Sequence, residues 1–241
     1  MRRLILAGMP PASAAQRATE LNDVLGEQEL LTSHESFVAN TQLVDFLLKT
    51  ANALDGNTFS QYLNRELDQS SVEVVYETII IPLLQRLGEI WESSGDGVAV
   101  EHLVSDLVIR ALSDVTVTPT RPINSRPVLL ACVENEPHSI PLYALGAALS
   151  QRNISFISLG AKTPRVALAE VVKKFAPPVI FLWAQQSRLG SKGFCSELPA
   201  VRPAPKIIVA GPGWDPESTV GNVYASSFSQ ACDEISSTFT L

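Results

Sequence analysis

The residues best able to do chemistry fall in two clusters. The first is Trp91 with Glu101 and His102, an indole followed after nine intervening residues by a carboxylate and an imidazole. Between them runs Ser93-Ser94-Gly95-Asp96-Gly97, too polar and glycine-rich to be helix. Two helix ends joined by a short loop converge, so the three side chains can face one spot. An indole offers a flat stacking face and the other two offer polar contacts, a set that suits a large ligand with aromatic parts. Each also has an ordinary role: Trp91 as core of an amphipathic helix, Glu101 as a first-turn carboxylate favoured by the helix dipole, His102 as a surface histidine. The second cluster is Glu136-Pro137-His138, just past a short apolar run. A ligating imidazole usually donates its second N–H to a carboxylate, which fixes the tautomer. The spacing therefore fits a metal-binding histidine with its orienting acid, against the plainer reading of a histidine at a helix start. Neither cluster forms a nucleophile or a general acid–base pair, so no catalytic residue is assigned and a ligand-binding sensor is expected.

Composition narrows the classes. The 241 residues carry a net charge of −7 with no long basic run, which argues against this chain gripping nucleic acid by itself. The three cysteines, Cys132, Cys195 and Cys232, lie far apart with no CxxC spacing, so neither a disulfide framework nor a zinc site is indicated. The apolar run near the N-terminus is broken by Pro10 and Pro11, too early for a signal-peptide core. No apolar run reaches membrane-spanning length. A soluble, cytoplasmic protein with no membrane partner is expected.

The elements that must position these residues follow from periodicity. Residues 1–118 read as a helical bundle. A helix-friendly stretch over 12–25 leads. Asn40 to Leu54 carries Leu43, Phe46, Leu47 and Ala51 on one stripe. A shorter helix spans 58–67, and Ser70-Ser71-Val72-Glu73 has the form of a capping box opening the long helix that ends near Trp91. A fourth principal helix runs from about Val98 to Leu112. Residues 119–127 are proline-rich and form the linker. From 128 to 241 the pattern alternates: strands over 128–133, 154–160, 178–184 and 206–211, a weak fifth at 222–225, and helices between them. This predicts an α + α/β protein, a four-helix-type bundle followed by a doubly wound parallel sheet of Rossmann-like form. Ligands of such sheets bind beyond the carboxyl ends of the strands, where Glu136 and His138, Gly160, Trp183-Ala184-Gln185, and Gly211 with Gly213 stand. The fingerprint G-x-G-x-x-G is absent after the first strand.

Taken in order, these stretches resemble the cobalamin-binding effector region of CarH/LitR-type regulators of the MerR family. Trp91, nine residues, then Glu101-His102 is similar to the cap signature that covers the upper, adenosyl face of coenzyme B12 in that group. Glu136 and His138 resemble D/E-x-H-x-x-G, in which the histidine replaces the cofactor's dimethylbenzimidazole on cobalt. Trp183-Ala184-Gln185 stands at the S-x-L position that lines the tail pocket, in preference to the literal Ser187-Arg188-Leu189 four residues later. Gly211-Pro212-Gly213 looks like the glycine pair after the fourth strand, and the stretch around Gly160 looks like the family's second strand end. The likeness covers roughly residues 60–241, and the segment before it looks like the family's join to a DNA-binding domain.

The resemblance implies adenosylcobalamin bound base-off, with His138 as the lower axial ligand to cobalt and Glu136 behind it. Trp91, Glu101 and His102 would meet the adenosyl group, and Gly160, Trp183, Ala184, Gln185, Gly211 and Gly213 would line the rest. It further implies a photoreceptor whose photolysis changes conformation or oligomeric state, a dimer or tetramer, to regulate transcription. DNA would be reached only through a domain absent from this chain or a partner protein. Two residues depart from the pattern. Pro141 replaces the glycine of D/E-x-H-x-x-G, which a helix first turn tolerates. Glu92 follows the cap Trp where some light sensors carry the histidine that captures cobalt, which places the upper ligand after photolysis in doubt. The missing winged helix-turn-helix fits either a truncated effector region or a stand-alone photosensor, the latter binding cobalamin plus a second tetrapyrrole such as a bilin. A corrinoid carrier subunit of a methyltransferase system, or a haem-binding relative, would share the lower half without needing the cap.

Overall fold

The computed structural model describes residues 40–94, 97–187, 189–190, 192–215, 219 and 221–239, without the side chains of 91–94 and 192. The helix expected over 12–25 lies outside the described residues. The chain divides into two compact units, Met1–Phe46 and Leu47–Leu241. Of the first, residues 40–46 are helical. The second contains both clusters identified above.

Among the described residues four helical stretches precede the sheet. The first, α1, covers residues 40–52. Next, α2 (Gly56–Gln69) is capped by the Asp55 carboxylate, which accepts from Thr58 N, and buries Phe59, Leu63 and Leu67 at helical spacing. Then comes a long helix in three parts: α3 (Val72–Val75), a π turn (Tyr76–Ile80) and α4 (Ile81–Ser94). The capping box is shifted by one residue from the sequence expectation. Ser70 is consumed as the C-cap of α2, donating its N–H to Glu66 O, so Ser71 becomes the N-cap and accepts from Val74 N. Glu73 is thereby freed from a local capping role. The fourth stretch, α5 (Val98–Asp114), starts at Gly97, whose φ of +97° is left-handed and suited to glycine. Residues 115–127 then connect to the sheet without a regular element.

The sheet has five parallel strands in the order β2-β1-β3-β4-β5, with β1 Val128–Cys132, β2 Phe156–Ser158, β3 Val179–Trp183, β4 Lys206–Ala210 and β5 Val223–Ala225. The central strands read as continuous apolar runs because both faces are covered. On one face α7 (Arg165–Phe175) and the short α8 (Lys192–Ser196) pack Leu168, Val172 and Phe194 onto Leu129, Ile180 and Leu182. On the other face lie α6 (Ile140–Gln151) and α9 (Phe228–Ser236). Helix α6 is apolar nearly all round because it is buried on two sides: it also packs against α5 and α3. Pro141 sits in its first turn, where the missing N–H has no intrahelical partner to lose. The short α8 was not legible from periodicity, being about one turn long.

The order 2-1-3-4-5 reverses direction between β1 and β3, and the crevice of such a sheet opens there, beyond the carboxyl ends of the strands. The helical region is tied to the opposite end of α6. Gln151 Oε1 accepts from Val72 N at 3.2 Å, and Ser150 Oγ accepts from Val117 N at 3.3 Å. The start of α3 and the end of α5 are thus fixed near the C-terminus of α6. The end of α4 and the start of α5 are therefore the ends of those elements farther along the chain from this tie.

Candidate functional site

The site is built around one buried carboxylate. Glu136 follows β1 in a turn whose preceding residue, Asn135, takes a left-handed φ of +69°. Its side chain has no solvent exposure. One oxygen, Oε1, accepts from His138 N at 2.9 Å and lies 2.6 Å from His138 Nδ1. The other, Oε2, accepts from Gln185 N at 2.7 Å and Gln186 N at 2.8 Å, just beyond β3. A single carboxylate therefore joins the loops on the two sides of the switch point. Burial pushes its pKa up, but the backbone N–H groups of Gln186, His138 and Gln185 and the His138 ring outweigh burial and hold the carboxyl below its ordinary value. Glu136 is an anion with its oxygens fully engaged.

That anion decides the chemistry of His138. A carboxylate at 2.6 Å from Nδ1 requires the proton to sit between them, on Nδ1. In the neutral tautomer this leaves the lone pair on Nε2, and the side chain is 42% exposed. Among the described residues Nε2 receives no hydrogen bond. An imidazole oriented through Nδ1 by a carboxylate is the arrangement typical of a metal-ligating histidine. The loop around it is fixed from below: Lys162 N donates to Glu136 O at 2.8 Å, and Cys132 Sγ lies 3.5 Å from His138 O. The Cys132 thiol is pushed up to about 12 by burial and by the Glu136 charge, so it is no competing ligand at neutral pH.

The remaining residues expected at the strand ends are all at this edge, in different roles. Gly160 follows β2 with φ +75° and open space where a side chain would project. Its carbonyl accepts from Cys132 N at 3.1 Å. Gln185 enters through its backbone N–H while its side chain is exposed. Ala184 is buried. Gly211 and Gly213 serve a close approach of the protein to itself: a Cβ at Gly211 would stand 2.3 Å from Ala184 O, and one at Gly213 would stand 2.5 Å from Gln186 O. Trp183 is half-buried, yet its indole Nε1 is fully buried with no hydrogen-bond partner among the described residues. A buried donor left unpaired costs about 1–3 kcal/mol. Such a group at a crevice is a natural partner for a ligand acceptor.

The cap cluster is less closely built. Glu101 and His102 occupy the first turn of α5, both exposed, with Glu101 N donating to Gly97 O at 2.8 Å. Residue 91 lies in the last turn of α4, and its side chain is outside the description. Among the described residues no hydrogen bond or ion pair joins Glu101 or His102 to Glu136 or His138. Sequence reasoning missed Gln186 and Lys162, which act through backbone N–H groups that leave no trace in residue type. A group of three or more His, Cys, Asp or Glu side chains able to hold a metal is absent among the described residues. No described helix is long and apolar enough to cross a membrane.

No protein-family model matches the chain. Over 193 residues it is 31% identical to the HTH-type transcriptional repressor CarH of Myxococcus xanthus, a match that covers 78% of this chain and 60% of that protein. The chain thus spans about 60% of the length of this relative. Among solved structures, the monomethylamine corrinoid protein of Methanosarcina barkeri superposes with a TM-score of 0.58 at 13% identity, covering 81% of this chain and 98% of the other. The two share a fold, a helical region followed by a five-stranded parallel sheet with helices on both faces.

Proposed function

We infer that this chain, which is of CarH type over the 193 residues it shares with that repressor, binds a cobalamin at the carboxyl edge of its sheet and serves as a regulator. The observation that carries this reading is the Glu136–His138 pair: a fully buried carboxylate at 2.6 Å from Nδ1 leaves Nε2 as a single open nitrogen ligand. A metal carried inside a macrocycle would need little from the protein, and His138 Nε2 would be the residue to hold it. Three further features fit the group. Gly160 leaves open space beside the histidine loop. The unpaired indole N–H of Trp183 meets a need for an acceptor, and cobalamin carries many amide and phosphate oxygens. Gln185, Ala184, Gly211 and Gly213 hold the floor between them.

We assign the upper side to Trp91, Glu101 and His102 and the cofactor form to adenosylcobalamin. When bound, it supplies a cobalt–carbon bond that light can break. The chain's own residues do the rest. His138 binds from below, and Glu136 holds the proton on Nδ1 so that the ligating nitrogen stays free. Trp91 covers the upper group, and Glu101 and His102 supply polar contacts to it. A change in what α4 and α5 meet on that side would shift the population between their arrangements, which subunit contacts would read out. The output is regulation of transcription, as a homo-oligomer and through a DNA-binding element outside residues 40–239.

Equilibrium dialysis in the dark against adenosylcobalamin tests the binding claim. The wild type should retain about one cofactor per chain, and His138→Ala should bind at least about tenfold more weakly, as lost metal-site partners do. Equal retention by His138→Ala would remove the lower ligand from the account. No retention by the wild type would remove the cofactor.

A further inference from the structure

The long helix that leads to Trp91 is not uniform. Its π turn, Tyr76–Ile80, carries an Ile81 N–H that reaches back five residues to Tyr76 O. The sequence supplies a cause. Pro82 stands two residues past the turn, inside the helix, where its ring lacks an N–H and would collide with the carbonyl four residues earlier. Widening the preceding turn relieves that clash, and π turns are common at functional positions. Thr78 Oγ1 donates to Val74 O at 2.8 Å, giving a carbonyl of the disturbed turn a partner.

The start of the long helix and the turn's first residue are fastened to the sheet-bearing part of the chain. Arg152 donates to Glu73 at 3.0 and 2.9 Å, and to Asp233 and Ser236 of α9 at 3.0 and 2.8 Å. The Tyr76 ring lies on the Phe228 ring at 4.4 Å. Inside the turn itself, Glu77 accepts from Ser229 N and Ser229 Oγ, both at 2.9 Å, across 152 residues of sequence. Glu77 thus ties the π turn to the first turn of α9. Beyond the turn, α4 runs on to residue 91. A π turn holds one residue more than an α turn. If it closed to α geometry, all that follows would rotate by about 100° and move by about 1.5 Å.

We propose that Glu77 is a positioning residue for the cap: by holding the π turn against α9 it sets the rotation and advance of α4, the helix that leads to residue 91. The proposal rests on the cobalamin reading above. Its test compares affinity for adenosylcobalamin with affinity for hydroxocobalamin, which lacks the large upper group, in the dark. Glu77→Ala should reduce the preference for the adenosyl form about tenfold, leaving hydroxocobalamin affinity and its His138-dependent spectrum within about twofold, since a tenfold change needs only about 1.4 kcal/mol. Glu77→Gln, whose amide can still accept from Ser229 N and donate to Ser229 Oγ, should restore most of the preference. An unchanged preference in Glu77→Ala, or an equal fall for both cobalamins, would overturn the proposal. A ligand-free readout covers the case of poor folding. Amide exchange at 78–81 should rise more than about tenfold in Glu77→Ala at constant protection of α2, and parallel loosening of both would also overturn it. Failure of the wild type to bind either cobalamin would instead refute the reading on which this proposal stands.

Discussion

Replacing Glu136 by Gln changes one oxygen of a buried carboxylate to an amide nitrogen and removes the charge. Four donors converge on the native group: the backbone N–H groups of His138, Gln185 and Gln186, and the ring Nδ1 of His138. A neutral amide can satisfy one side. If its oxygen faces Gln185 and Gln186, its NH2 meets the His138 N–H, donor against donor. Hydrogen bonds to a charged group contribute about 1.5–3 kcal/mol against about 1 for neutral ones, and a stranded buried donor costs about 1–3. Together these give a loss of about 3–4 kcal/mol. With a urea slope of about 2 kcal/mol/M the unfolding midpoint should fall by about 1.5–2 M. The acid limb should change as well. Glu136 titrates below its ordinary value of 4.5 in the folded state. A depressed folded value means that its stabilisation is present above the unfolded value and is lost as pH falls through the folded one. Below about pH 4.5 the wild type should therefore lose stability more steeply than Glu136→Gln. The amide also invites the His138 proton onto Nε2, so cobalamin affinity should drop by about 10–100-fold. A variant within about 0.5 kcal/mol of wild type, with the same acid slope, would show that Glu136 is not the anion on which the site is built.

Other predictions concern the frame around the site. Gly211→Ala should cost more than about 2 kcal/mol, because φ is +101° and the new methyl would meet Ala184 O at 2.3 Å, whereas Gly160→Ala should cost about 1 kcal/mol for its φ of +75° alone; thermal unfolding of both reads the difference. A double-mutant cycle between Glu73→Ala and Arg152→Ala should return a coupling of about 1–2 kcal/mol, since both side chains are about three-quarters buried, at 22% and 27% exposed, and paired in bidentate fashion. Burial raises the thiols of Cys132 to about 12 and Cys195 to about 11, so at pH 8 neither should react with a thiol reagent until urea unfolds the chain.

Much of this frame is legible in the residues themselves. The strand runs and the Glu136–His138 spacing are local patterns, and the structure places a strand in each run and the carboxylate 2.6 Å from the His138 ring. What was not legible has non-local causes. The partners of Glu136 beyond β3 are backbone N–H groups of Gln185 and Gln186, and any residue but proline could supply them. The capping box slipped by one because α2 ends on Ser70, a competition between two helices that a four-residue pattern cannot register. Freed from that box, Glu73 meets Arg152, 79 residues away. The π turn does have a signal, Pro82 inside a helical run, whose effect is to change the face of all that follows. Gly211 and Gly213 look from sequence like room for a ligand; in the fold their space is taken by the backbone of Ala184 and Gln186.

The most direct measurement is the absorption spectrum of the protein mixed with adenosylcobalamin, recorded in the dark and again after green light, beside His138→Ala. The account predicts a histidine-ligated spectrum in the dark that changes on illumination and is absent from His138→Ala. A spectrum equal to that of the free cofactor, or one that His138→Ala reproduces, would contradict it. A histidine-ligated spectrum indifferent to light would leave a cobalamin-binding protein and remove the photosensor.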